Sequence, residues 1–147
     1  MKKDIKSLTA FFIRKYGTNN PFEIARSLDI EVYQIPLGEI SGYYKYQKKH
    51  KCIFLNSELE NIHFMRLVMA HELGHAILHP KENCYFLQHH TLMLTNKNEV
   101  EANRFAVNLL ISDDELSNYK EYSCEQISNI TGYEMKLIEL RMKDYRG

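Results

Sequence analysis

The stretch LVMAHELGHAILH, residues 67–79, restricts the possible folds of this chain more than any other segment. Leu67, Val68, Ala70, Leu73, Ala76, Ile77 and Leu78 carry the apolar spacing of a core-facing helix. His71, Glu72 and His75 fall inside that helix, where a core normally carries leucine. Burying two imidazoles and a carboxyl without partners costs several kcal/mol, and a bound cation removes that cost.

Residues four apart on a helix differ by about 40° around the axis and about 6 Å along it. His71 and His75 therefore project from one face and reach a single ion, and neutral imidazole is a good ligand for Zn²⁺. Glu72 lies about 100° further round. It stands beside such an ion rather than on it, where a carboxylate takes a proton from an attacking water. The pattern is HExxH. Three fixed positions do occur by chance, but the position of these three, in the middle of an apolar helix, argues against it.

A catalytic zinc usually has three protein ligands and one open position. The extended pattern HExxHxxGxxH is excluded, because Leu78 and Lys81 stand where it requires glycine and histidine. His79 is about 12 Å along the helix axis from His71, too far to share its ion. His89 and His90 remain open as ligands. Glu99 and Glu101, at the start of the next helix, are about 200° apart, so only one of them faces the metal. Glu99 is favoured at a helix start by the dipole alone. Glu101 is the expected third ligand.

Around this motif the pattern predicts helices over 4–16, ended by Gly17, and from Pro21 to Leu28, capped by Asn20. Strands are expected at 30–35, 41–47 and 51–56, the last two as a loose hairpin of uncertain register. KCIFLN (51–56) reads equally as an interior strand or as an edge that accepts an extended substrate. The long helix spans about 58–79 and stops at Pro80, residues 81–96 look irregular, and a second strong helix covers 98–111. Capping boxes starting at Ser112, Ser123 and Thr131 predict three short helices in the tail. The expectation is one α+β domain over 1–147, with tail helices 113–147 part of it.

Nineteen basic and nineteen acidic residues balance, so no bulk attraction to nucleic acid or anionic membrane is expected. The tail outlines a helix-turn-helix, but residues 112–147 hold eight acids against five bases, the wrong balance for reading DNA. Cys52, Cys84 and Cys124 lack metal-cluster spacing and read as thiols of a reducing cytoplasm. The N-terminal run LTAFFI is too short for a signal peptide, and no stretch is long enough for a membrane span.

HELGH at 71–75, EVEANRFAVNLL at 99–110, IFLN at 53–56 and the tail QISNITGYEMKLIELRM together resemble the ImmA/IrrE metallopeptidases over nearly the whole chain. NLL is followed by Ile-Ser where many relatives have Met-Pro, a change at a helix end. The resemblance implies a small antiparallel sheet packed on a zincin-like active-site helix. It implies His71, His75 and Glu101 as metal ligands, Glu72 as catalytic acid/base, and a zinc-dependent endopeptidase. It also implies a helix-turn-helix repressor of a phage or mobile element as the protein substrate. The oxyanion donor stays open among Tyr43, Tyr85, His79 and His89. The competing reading is a zinc-containing module that inactivates a regulator by docking without cutting it. An acid at Glu72, which a structural zinc site does not need, favours the enzyme.

Overall fold

The structure is a computed structural model that describes residues 4–82, the backbone of 84–87, and residues 96–145. The fold is α+β. Helices α1 (Ile5–Tyr16) and α2 (Pro21–Ser27) lead into strands β1 (Glu31–Ile35), β2 (Ile40–Gln47) and β3 (His50–Asn56). Helix α3 (Ile62–Leu78), strand β4 (Cys84–Leu87) and helix α4 (Lys97–Leu110) follow. The tail contributes α5 (Asp113–Ser117), α6 (Cys124–Thr131) and α7 (Met135–Met142). No helix among the described residues is long and apolar enough to cross a membrane.

The sheet order is β1-β3-β2-β4, with β1 parallel to β3 and both β2 pairings antiparallel. The sheet is therefore mixed, not antiparallel as expected. The β2–β3 hairpin folds back so that β3 enters between β2 and β1, which makes β3 an interior strand and closes it to strand addition. β4, inside the stretch read as irregular, forms an edge instead.

Asn56, at the end of β3, holds the crossover from β1 to β2 in place. Its Nδ2 donates to Gly38 O at 3.0 Å and Ile40 O at 3.1 Å. Its Oδ1 accepts from Leu37 N at 3.3 Å and Glu58 N at 3.0 Å. The residue is 1% exposed. Replacing it with alanine strands two carbonyls and two amides, and the expected loss is about 2–4 kcal/mol of unfolding free energy. Urea denaturation with an unchanged m-value checks this.

Helix α3 has no polar side: every residue from Leu67 to Ala76 is buried. On one side it lies against the sheet, so close that a Cβ on Gly42 would meet Val68 Cγ1 at 2.8 Å. On the other side it meets α4, where a Cβ on Gly74 would lie 3.2 Å from both Ala102 O and Phe105 Cβ. Asn61 caps its start, accepting from Phe64 N. Pro80 disfavours helical backbone at His79, which is the C-cap at φ −132°. Tyr44 Oη donates to Pro80 O and ties that end to the sheet.

The tail packs through ion pairs. Arg104 on α4 grips Asp144 with Nε at 3.1 Å and Nη2 at 2.8 Å. Buried Arg141 donates to Ile111 O and pairs with Asp113. Of the three expected capping boxes, the one at Ser123 forms in full with Gln126, and Ser112 caps α5 through Glu115 N alone. Thr131 does not cap. It is the last residue of α6, because Gly132 at φ 85° ends that helix, and α7 begins after Glu134.

Candidate metal centre

α3 and α4 each supply part of one buried cluster. His71 and His75, one turn apart on α3, bring their Nε2 atoms within 3.1 Å of each other. Glu99, on the first turn of α4, places Oε2 2.6 Å from His75 Nε2 and Oε1 3.5 Å from His71 Nε2. These separations bracket about 3.3 Å, the edge of a tetrahedron of donors about 2.0–2.1 Å from a zinc ion. Among the described residues this is the group with metal-ligand geometry, its ligand atoms all within 4.8 Å of one another. Two neutral nitrogens and a carboxylate suit Zn²⁺.

The outer contacts are also polar. His71 Nδ1 lies 2.8 Å from Asn103 Oδ1, which places the ring proton on Nδ1 and leaves Nε2 bare toward the cluster. Burial disfavours the charged form of His75 and lowers its pKa. Burial works to raise the pKa of Glu99, but the imidazoles of His71 and His75 more than reverse it and hold the carboxyl well below the usual range. Glu99 is thus an anion next to two nitrogen donors.

Glu72 is fully buried, and among the described residues neither of its oxygens has a hydrogen-bond partner. Its pKa is pushed well above the usual carboxylate range, by burial first and by the Glu99 charge second. A buried acid with no partner and a raised pKa beside a donor cluster fits a group that moves protons.

Glu101, expected as third ligand, is turned elsewhere. Its Oε1 meets His79 Nε2 at 2.7 Å, and Glu99 stands beside the histidine pair instead. α4 meets α3 through Ala102, Asn103 and Phe105, and the first two lie within about 60° of Glu99 around the axis. Glu101 lies about 160° from Glu99, on the side of Asn108. Asn103 was missed by the sequence reading, although its i+4 relation to Glu99 would have led to it. Of the expected oxyanion donors, Tyr43 stacks on Phe54 at 4.6 Å, on the sheet face away from Tyr44 and α3, and His79 is held between His75 and Glu101. His89 and His90 and the Tyr85 side chain lie outside the described residues.

Two imidazoles four residues apart and a carboxylate from the next helix form a group that could hold a metal ion, with a buried acid between the imidazoles. Residues 25–133 match the family described as the IrrE N-terminal-like domain, and the chain belongs to this M78 family of metallopeptidases. It is 42% identical to uncharacterized immunity region protein 2 of Bacillus phage phi105, over 93% of this chain and 88% of the phage protein. It is 32% identical to the metallopeptidase ImmA of Bacillus subtilis strain 168, over 86% of this chain and 76% of ImmA.

Proposed function

We infer that this chain is a zinc-dependent endopeptidase of the cytoplasm that cuts a helix-turn-helix repressor of a phage or mobile element at a specific site. His71, His75 and Glu99 hold the metal, with Glu99 replacing Glu101 in the expected set, and Glu72 is the general base and acid. The observation that carries the reading is the buried donor cluster, with the Glu72 carboxyl unpartnered among the described residues. The repressor follows from the resemblance to the ImmA/IrrE family and is supported by a relative named for a phage immunity region.

Zinc held by these residues supplies Lewis acidity, lowering the pKa of a water and polarising the scissile carbonyl. Glu72 accepts the proton from the attacking water and delivers it to the departing amine. His71 and His75 are themselves buried, which keeps bulk water from their rings.

The test mixes the protein with the repressor encoded beside its gene and follows fragments by intact mass. Discrete fragments are expected from the zinc-loaded protein, none after chelation, and recovery when zinc is returned. A repressor bound but left whole by the loaded protein would replace the peptidase reading with docking.

A further inference from the structure

His79 and Glu101 take no part in the donor cluster, yet both are buried directly behind it. His75 Nδ1 lies 3.1 Å from His79 Nδ1, and His79 Nε2 lies 2.7 Å from Glu101 Oε1. The line Glu101–His79–His75 therefore runs from α4 through the end of α3 to a proposed ligand. It rests on the metal-centre reading above, and it adds a role for residues which that reading leaves idle.

We propose that Glu101 and His79 are positioning residues that act in series to fix the proton and the orientation of the His75 ring, so that its Nε2 faces the metal. The proton assignment follows from atom types. A metal ligand at Nε2 must be bare, so the single proton of neutral His75 is on Nδ1. That proton needs an acceptor, and the neighbouring atom is His79 Nδ1, which must be bare in turn. The proton of His79 is then on Nε2, where Glu101 Oε1 accepts it. Each contact along the line has one donor and one acceptor, and the carboxylate at its end makes both rings better donors of electron density. Asn103 plays the simpler form of this part for His71. The two histidines thus have unequal support, a neutral amide behind one and a relayed carboxylate behind the other.

The fold explains the placement. His79 is four residues beyond His75, so it lies one turn further along the same face of α3. Pro80 stops the helix there. Glu101, two residues from Glu99, takes the flank of α4 that passes this end.

The test measures zinc affinity by competition with a chromophoric chelator for wild type, Glu101→Gln, His79→Phe and the double variant. Thermal midpoints are recorded in chelator for the metal-free proteins. Glu101→Gln should weaken zinc binding about 10-fold and His79→Phe up to about 100-fold, the range for outer partners of metal ligands. The double variant should bind no more weakly than His79→Phe, because Glu101 acts through His79. The metal-free midpoint of Glu101→Gln should stay within a few degrees of wild type. Cobalt-loaded Glu101→Gln should show shifted visible bands, since the ring donor has changed. Wild-type zinc affinity in Glu101→Gln, with or without a lowered metal-free midpoint, overturns the proposal while leaving the metal centre intact. Additive losses in the double variant also overturn it. Failure of wild type to bind zinc would instead bring down the metal-centre reading itself. If His79→Phe does not fold, the nearly isosteric Glu101→Gln still decides.

Discussion

Glu72→Gln is expected to bind zinc as tightly as wild type and to cut its substrate about 10²–10⁴-fold more slowly. The side chains are nearly the same size, and Glu72 is not among the atoms that meet at the cluster, so the ligands keep their geometry. Only proton transfer is lost. The same variant has a second signature in the metal-free protein. Burial raises the pKa of Glu72 in the folded chain above its unfolded value, so the folded state binds that proton more strongly. Its contribution is fully present below the unfolded carboxylate range and is lost as pH rises through the folded pKa. Urea stability of the chelated wild type should therefore fall relative to Glu72→Gln as pH rises from the ordinary carboxylate range. Parallel pH profiles would remove the buried acid from the account. Unimpaired cleavage by the variant would remove it from the chemistry.

The second large effect separates the two glutamates of α4. A ligand at a thousand times its dissociation constant stabilises the folded state by about 4 kcal/mol, which for a chain of this size raises the thermal midpoint by on the order of 10 °C. Glu99→Ala should abolish that zinc-induced rise. Glu101→Ala should shrink it and leave part. The reverse order, with Glu101→Ala blind to zinc and Glu99→Ala responsive, would restore the ligand assignment that the sequence suggested.

That His71 and His75 share one face was legible because HExxH fixes its positions on one rigid helix. Which carboxylate of α4 stands beside them was not, because that depends on how α4 is rotated against α3. Gly74, Ala102 and Phe105 set that rotation by contact across the helix pair, and spacing along one helix carries no information about it. The β1–β3 pairing was hidden for a similar reason. Asn56, which holds the crossover, is a polar residue at a strand end and gives no sign of the four bonds it makes. The β2–β3 turn is a two-residue loop with Lys48 at φ 50° and Lys49 at φ 64°. Such a turn normally announces itself through asparagine and glycine, so with a pair of lysines the hairpin was legible but its register was not. Thr131 fitted a cap by sequence, but the left-handed backbone at Gly132 decides the boundary and leaves Thr131 inside α6.

Gly74 also has a consequence for how this architecture tolerates change. The distance from Glu99 to the histidines is set by two helices touching backbone to backbone, not by the chain that joins them. The contact of Gly74 with Ala102 and Phe105 thus fixes where the first turn of α4 lies relative to His71 and His75. A methyl group at position 74 would press on Ala102 and Phe105 and require α4 to give slightly.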